Sequence, residues 1–326
     1  MRVRAFFEAA KVEGVQSPYD TIHLKIFYPA QIADQLEKNM AREPANREKA
    51  PFPVVIFFNG YNCDAQQYQW LAVKLAERGL VVVLFNWIAE NLSGIISITP
   101  GVDFEKMKPT IYRTAPTASA LPALLTKLEQ LQNQGVLAGM LDLQRIILGG
   151  HSAGGLVAIA NADPQFFPGV AASFSYGASS RGLLIIGYEP GTILPLPDSL
   201  PLLLMGGTRD GFMLNSSELY NVSPGDATIP VTRTFQEAIA GGRNDSYQLI
   251  LEGANHFSIV DEPDSTTGRL SLDLKATQPQ EHLRLLMSEI IGLFIDTHVR
   301  HQPEASQELE QLLTAANPLI KSFERK

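Results

Sequence analysis

The hydrophobic residues of this chain fall into short runs of strand length that alternate with stretches of helical spacing. The runs that predict buried strands are Val54–Phe58, Leu80–Phe85, Gln144–Leu148, Val170–Tyr176, Leu202–Met205 and Tyr247–Leu251. Strands with few polar residues are typical of a parallel sheet that is covered by helices on both faces. The pattern therefore predicts an α/β fold with a mostly parallel, doubly wound sheet of about eight strands.

Helices are predicted where apolar residues recur every three or four positions. These segments are Ala65–Arg78, Thr117–Gln134, Gly154–Asn161, Gln280–Val299 and Ala305–Ala315. Gly79 directly follows the first of them, at a place where helices commonly end on a glycine. Near the start of the chain, Arg2–Val12 and Thr21–Tyr28 alternate between apolar and polar residues, which predicts an antiparallel pair of strands.

Three segments interrupt this alternation. Residues 31–50 are polar and charged, so we expect a surface excursion. Residues 88–113 are apolar but contain glycines and a proline, which favours a loop or a lid over a core helix. Residues 180–198 form a second apolar, proline-rich insertion with the same interpretation.

No repeat, low-complexity tract or linker divides the chain. We therefore expect a single domain over residues 1–326, which ends in a helical tail over residues 302–326. The leucines of this tail predict packing against the rest of the domain, and they leave peripheral membrane contact open.

Composition narrows the classes of function. The chain has 326 residues, with 26 Lys and Arg against 34 Asp and Glu, and a formal net charge of −8. This balance disfavours nucleic-acid binding, which normally requires a basic face. The single cysteine, Cys63, excludes an intrachain disulfide and fits a reducing compartment. With no secretory signal and no apolar run near the ~18–20 residues of a membrane span, the expected location is the cytoplasm.

The sequence Gly150-His151-Ser152-Ala153-Gly154 lies between a predicted strand and a predicted helix. A serine on such a sharp turn needs small neighbours because its backbone is crowded, and G-x-S-x-G meets this need. The helix start also places unpaired backbone N–H groups beside the serine. We expect Ser152 to be a nucleophile, and the alternative is a serine that only caps the helix. The His151 side chain is expected to point away from the site.

A serine nucleophile needs a base and an acid that orients the base. Of six histidines, His256 follows a predicted strand through a short loop, so it can reach the carboxyl edge of the sheet. Asp210 follows the preceding strand, and the order Ser152, Asp210, His256 is that of α/β-hydrolases. Asp198, Glu218 and Asp261 fit this order less well, and Asp210 has the alternative role of capping a turn.

The oxyanion of an acyl-transfer reaction needs two N–H donors. We expect the backbone N–H of Ala153 to be one and that of Tyr61 to be the other, because Tyr61 lies in the Asn-Gly turn after the strand Val54–Phe58. That turn could also lack a catalytic role. The chain has no metal-ligand spacing and no nucleotide-binding glycine motif, so we expect neither a metal nor a cofactor. Cys63, which has no partner in the sequence, is expected to be a small loop residue.

Three segments resemble the α/β-hydrolase superfamily, and within it the chlorophyllase, platelet-activating-factor acetylhydrolase and dienelactone hydrolase branches. They are Pro53-Val-Val-Ile-Phe-Phe-Asn-Gly-Tyr61, the stretch from Tyr68 to Val83, and Gly150-His-Ser-Ala-Gly-Gly155. The resemblance runs from about residue 53 to 297. It implies an α/β-hydrolase fold and hydrolysis of carboxylic esters by a Ser-His-Asp triad without a cofactor.

The chain also departs from these branches. Asn59 stands where a histidine usually precedes the glycine of the oxyanion loop. The chlorophyllase and acetylhydrolase branches place the acid after the strand that ends at Tyr176, where this chain has no carboxylate. Asp210 after the next strand resembles the dienelactone hydrolase layout, although that branch commonly uses a cysteine in place of Ser152.

The expected function is therefore a serine carboxylester hydrolase. The two apolar insertions favour a lipophilic ester as the substrate. The resemblance implies that the activity is like that of a chlorophyllase, or like that of a lipase or esterase. Two alternatives remain at this point. The chain could be a catalytically retired hydrolase that binds a hydrophobic ligand, or an acyltransferase that uses the same triad on an acceptor other than water.

Overall fold

The computed structural model describes residues 2–31, 43–92, 94–217 and 225–326. Within these ranges the chain forms an α/β fold with one mixed, mostly parallel sheet of ten strands and seven α-helices. Most of the polar excursion predicted over residues 31–50 lies outside the described residues, as does Glu218.

The strands are β1 (Arg2–Lys11), β2 (Thr21–Ala30), β3 (Phe52–Phe58), β4 (Val81–Leu92), β5 (Ile95–Ile98), β6 (Leu141–His151), β7 (Val170–Tyr176), β8 (Leu202–Gly207), β9 (Ser246–Leu251) and β10 (Ile320–Arg325). They lie in the order β1-β2-β4-β3-β6-β7-β8-β9-β10, and β5 pairs with β4 outside this path. The six strands from β4 to β9 along this order run parallel, and the others join antiparallel. The carboxyl ends of the parallel strands therefore meet along one edge of the sheet.

The helices are α1 (Gln69–Glu77), α2 (Leu121–Asn133), α3 (Ala153–Ala160), α4 (Gly211–Ser217), α5 (Ile229–Ala238), α6 (Gln280–His298) and α7 (Pro303–Thr314). Buried side chains of α2, α3 and α5 belong to the core on one face of the sheet, and those of α1, α6 and α7 to the core on the other. Since every residue of β3 is buried, its alternate side chains fill both cores. This two-sided burial explains the continuous apolar run that the sequence shows.

Most of the sequence predictions for this architecture are confirmed. The antiparallel pair at the start is β1 with β2, and all six predicted buried strands are present. Gly79 has a φ of +89° just after α1, as a helix-ending glycine requires. The helices α4 and α5 were not predicted, because α4 is only seven residues long and α5 follows a polar stretch that contains the turn signal Pro224-Gly225.

Two predictions need correction, and together they account for ten strands rather than about eight. In the segment 88–113, β4 continues beyond Phe85 and pairs with β5 as a hairpin, so its first part is a sheet extension and not a loop. The β-branched run Ile95-Ile-Ser-Ile98 favours a strand. The tail over residues 302–326 is helical only in α7; it ends in β10, which covers the otherwise open edge of β9.

The C-terminal helix α6 has nineteen residues and buries one side against the sheet. Its buried residues include Phe294, whose ring packs edge-on against Tyr247 of β9 with ring centroids 6.0 Å apart. None of the helices in the described part of the chain combines the length and the apolarity that a membrane span requires.

The packing of α6 predicts the effect of two substitutions on stability. Phe294→Ala removes a fully buried ring, so we expect the free energy of unfolding to fall by about 3–5 kcal/mol. Leu285→Ala on the exposed side of the same helix, where the side chain is 47% exposed, should change it by less than about 0.5 kcal/mol. Urea unfolding of both variants measures the difference, and equal losses would contradict this packing.

Candidate active site

Ser152 occupies the single residue between the end of β6 and the start of α3. Its backbone has φ +56° and ψ −124°, a conformation that residues with a Cβ rarely adopt and that costs about 1–3 kcal/mol. The N–H of Ser152 donates to the carbonyl oxygen of Tyr176 at 2.9 Å, which ties the turn to β7. The predicted strand–serine–helix turn is therefore present, with the strain that the motif implied.

The glycines of the motif permit a close approach of backbone segments. A Cβ on Gly150 would lie 2.3 Å from the carbonyl oxygen of Gly154. A Cβ on Gly154 would lie 2.2 Å from the carbonyl oxygen of Phe58, at the end of β3. No side chain fits at either distance, so both glycines are required for α3 to begin against the neighbouring strand.

Asp210 and His256 form a buried hydrogen-bonded pair. The Nδ1 atom of His256 lies 2.8 Å from Oδ2 of Asp210, and both side chains are almost fully excluded from solvent. Asp210 follows β8 and His256 follows β9, so the pairing of these parallel strands brings the two loops together. Asp210 also has the capping role that was its alternative interpretation, since its Oδ1 accepts from the N–H of Met213 in α4 at 2.9 Å.

Aromatic rings and a glycine shape the pocket of the imidazole. Phe212 stacks on His256 with ring centroids 4.4 Å apart, and the ring of His151 lies 4.7 Å away by the same measure. A Cβ on Gly177, at the end of β7, would lie 3.0 Å from Nδ1 of His256. A side chain at this position would also lie 3.1 Å from Oδ2 of Asp210, so the glycine makes room for the His256–Asp210 pair.

The pKa of His256 is set by opposing influences. Burial has the largest single effect and lowers the pKa, because it disfavours the charged imidazolium. The charge of Asp210, its hydrogen bond and the more distant charge of Asp273 outweigh burial, so the pKa of His256 is raised above its ordinary value. With Nδ1 directed at Asp210, Nε2 is the nitrogen available as a base.

Asp273 is a second acid that the sequence reasoning missed. Its Oδ1 accepts from the N–H of Gly211 at 2.8 Å, and its Oδ2 accepts from the N–H of Phe257 at 3.2 Å. These N–H groups belong to the residues directly after Asp210 and His256, so one carboxylate braces both loops. Burial raises the pKa of Asp273, with a further contribution from the charge of Asp210.

The loop after β3 is fixed by hydrogen bonds on each side of Tyr61. The Asn59 amide donates to the carbonyl oxygen of Cys63 at 2.6 Å, and the N–H of Gly60 donates to the Tyr68 hydroxyl at 3.2 Å. The N–H of Asn62 donates to the carbonyl oxygen of Ile98 in β5 at 2.9 Å. Tyr61 therefore sits in a well-defined turn at the carboxyl end of β3.

A cavity of about 340 Å³ joins these elements. Ser152, His256 and Tyr61 all line it, and Ala153 begins α3 directly beside Ser152. Most of the surface that lines the cavity is apolar, with contributions from Ile95, Phe212 and Phe257, and the exposed Arg269 also lines it. The structure thus brings the predicted serine, histidine and oxyanion turn to one cavity, with Asp210 buried behind the histidine.

The two insertions differ in their relation to this cavity. Ile95 and Ser97 of the β4–β5 hairpin line it, so the first insertion forms part of its wall. The second insertion contacts the first: the Tyr112 hydroxyl donates to the carbonyl oxygen of Pro195 at 3.0 Å, and that of Tyr188 donates to Met107 at 2.8 Å.

The other acids considered as candidates, and Cys63, lie outside the His256–Asp210 pair and have contacts of their own. Asp198 accepts from the N–H of Ala240 at 2.9 Å, and Asp261 pairs with Arg284 at 3.1 Å. Cys63 is buried and lines the cavity, and burial raises the pKa of its thiol to about 11, so it stays protonated. Across the described ranges, His, Cys, Asp and Glu form no group of three that could hold a metal ion.

No protein-family model and no curated protein matches this chain. Its function is therefore inferred from the geometry of the site.

The two acids near His256 predict a change in pH dependence. If His256 is the base in ester hydrolysis, kcat/KM for the ester falls as the pH drops through the raised pKa of His256, because only the neutral imidazole accepts a proton. Asp273→Asn removes a negative charge that raises this pKa, so the acid limb of the pH profile should move to lower pH. Asp261→Asn, a half-exposed acid paired with Arg284, serves as the control and should leave the limb in place. An unmoved limb in Asp273→Asn would contradict the electrostatic role of Asp273.

Proposed function

We propose that this chain is a serine hydrolase of the α/β-hydrolase fold that cleaves carboxylic esters. The observation that carries the proposal is the strained serine between β6 and α3, which opens into the same cavity as a histidine paired with a buried aspartate. The mixed, mostly parallel sheet is compatible with that fold. The order of Ser152, Asp210 and His256 along the chain supports the same assignment.

In the proposed reaction, Ser152 Oγ attacks the ester carbonyl carbon while Nε2 of His256 takes the hydroxyl proton. Asp210 accepts the Nδ1 hydrogen at 2.8 Å, so it keeps the imidazole in the tautomer with a free Nε2. The same carboxylate stabilises the imidazolium that forms. Because the pair is buried, this attraction is screened little by water.

The negative charge that develops on the carbonyl oxygen needs donors that are already oriented. We assign the N–H of Ala153, in the first turn of α3, and the N–H of Tyr61, in the turn on the cavity wall. Loss of one such donor typically slows a reaction by about 10²–10³. His256 then protonates the leaving alcohol, and a water activated by His256 hydrolyses the acyl-enzyme; none of these steps requires a cofactor.

The cavity favours an ester with a small apolar group. Its volume of about 340 Å³ lies near the lower end of the ~300–1,000 Å³ range of ligand sites, and its walls are mainly apolar. An esterase-like substrate therefore fits the enclosed space better than a chlorophyll-sized ester. Any longer chain would extend along the hairpin, where Ile95 and Ile96 are more than half exposed.

The setting that we propose for this activity is the cytoplasm. The only cysteine is a free, buried thiol, which is compatible with a reducing compartment. A protected thiol beside the catalytic cavity also avoids competition with the serine nucleophile, because its raised pKa keeps it protonated.

Replacement of the nucleophile tests the proposal. Ser152→Ala should lower kcat for p-nitrophenyl butyrate by a factor of about 10⁴–10⁶ with little change in thermal stability. Ser288→Ala is a matched control, because its Oγ donates to the carbonyl oxygen of Leu285 within α6 at 2.9 Å, and it should retain full activity. Undiminished hydrolysis by Ser152→Ala would contradict the assignment of Ser152, Asp210 and His256 as a catalytic triad. A wild-type protein that binds such esters without turning them over would favour a retired hydrolase.

A chain-length series tests the substrate class. Each methylene buried contributes about 0.8 kcal/mol, so kcat/KM for p-nitrophenyl esters should rise by up to about fourfold per methylene from acetate onward. Since the cavity is small, the increase should end near the hexanoate. A rise that continues to palmitate would contradict the small-ester assignment and favour a lipase-like substrate.

A further inference from the structure

The side chain of His151 lies where the proposed mechanism gives it no role. It is completely buried and lines the catalytic cavity, directly before Ser152. This placement corrects the expectation that it points away from the site. Burial, followed by the neighbouring His256, keeps the pKa of His151 well below its usual value, so the ring is neutral.

A neutral imidazole has one donor and one acceptor nitrogen, and the partners of His151 decide which is which. Its Nε2 lies 2.9 Å from the backbone carbonyl oxygen of His256. Because a carbonyl oxygen only accepts hydrogen bonds, Nε2 carries the hydrogen and donates it. Nδ1 is then the acceptor, and it lies 2.8 Å from the hydroxyl of Tyr68, which donates.

The Tyr68 hydroxyl continues this chain of hydrogen bonds to the other side of the cavity. It accepts from the N–H of Gly60 at 3.2 Å while it donates to His151. Burial raises the pKa of Tyr68 well above its usual value, so the hydroxyl keeps its proton. A Cβ on Gly60 would lie 3.0 Å from Nδ1 of His151, which shows how closely the turn approaches the ring.

We propose that His151 is a positioning residue that fixes the distance between the oxyanion turn at Gly60–Tyr61 and the loop that carries His256. The hydrogen bond from Nε2 of His151 holds the backbone of His256, the proposed base. The hydrogen bond at Nδ1 comes from the hydroxyl of Tyr68, which also accepts from the N–H of Gly60, the residue before Tyr61. The inference rests on the proposed function, since it assigns those two loops their chemistry. An error of about 1 Å in such a distance can slow catalysis by about 10²-fold.

Three substitutions test the bridge. Tyr68→Phe removes only the hydroxyl, and His151→Leu removes both ring nitrogens. His151→Gln retains one donor and one acceptor on a side chain of similar reach, so it should rescue much of the loss. The matched controls are Tyr28→Phe, a buried tyrosine of β2 whose hydroxyl donates to a backbone carbonyl oxygen at 2.6 Å, and His298→Gln in α6.

For p-nitrophenyl butyrate, we expect kcat to fall by about 10–100-fold in His151→Leu and about tenfold in Tyr68→Phe, with KM within about twofold of the wild type. Because the two residues act through one chain of bonds, the double variant should lose no more than His151→Leu alone. Hydrogen exchange should accelerate together in the segments 59–63 and 252–258. If His151→Leu does not fold, the kcat and the hydrogen exchange of Tyr68→Phe test the proposal alone.

The outcomes separate this inference from the proposed function. Coupled acceleration of exchange in both segments with no ester turnover by the wild type would support the bridge and overturn the hydrolase assignment. Ester turnover by the wild type, with unchanged kcat in Tyr68→Phe and His151→Leu, would overturn the bridge alone. Losses of kcat that multiply in the double variant would also overturn the bridge. So would hydrogen exchange that accelerates in only one of the two segments.

Discussion

The close approach of backbone segments around Ser152 is the constraint on which the site depends. The serine holds a positive φ between β6 and α3, and the carbonyl oxygen of Phe58 lies where a side chain on Gly154 would begin. This contact places the end of β3 against the first turn of α3, and Tyr61, in the turn after β3, lines the same cavity as Ser152. Two fully packed cores, one on each face of the sheet, hold these strands and compensate for the local strain.

The two carboxylates near His256, those of Asp210 and Asp273, each accept hydrogen bonds from defined donors. Asp210 uses one oxygen for His256 and the other for the start of α4, and Asp273 uses its two oxygens for the adjacent backbone N–H groups. The imidazole is thereby surrounded by oriented partners instead of water. Such preorganisation lowers the cost of forming an imidazolium during a reaction.

The sequence was sufficient for the parts of the molecule that depend on local pattern. Buried strands follow from apolar runs, and the turn at Ser152 follows from its glycines. The pairing of Asp210 with His256 followed from their positions after neighbouring parallel strands. The β-branched segment Ile95–Ile98 could also have identified β5. The two apolar residues of β10, Ile320 and Phe323, lie three positions apart and so lack the alternation that indicates a strand.

The remaining parts depend on contacts between residues far apart in the chain. Asp273 lies 62 positions from Gly211, and His151 lies 83 positions from Tyr68, so neither hydrogen bond leaves a local pattern. The direction of the His151 side chain was predicted wrongly, because it is set by contacts with Tyr68 and with the backbone of His256, which lies 105 positions away. The size of the cavity likewise depends on how the hairpin folds back over the loop after β3.

Covalent labelling shows whether Ser152 is an activated nucleophile. The folded wild-type protein would be treated with a fluorophosphonate probe, and the modified peptide would be located by mass spectrometry. We expect stoichiometric labelling of Ser152 that weakens as the pH falls and His256 becomes protonated. A folded protein that stays unlabelled, or that is labelled at another residue, would contradict it.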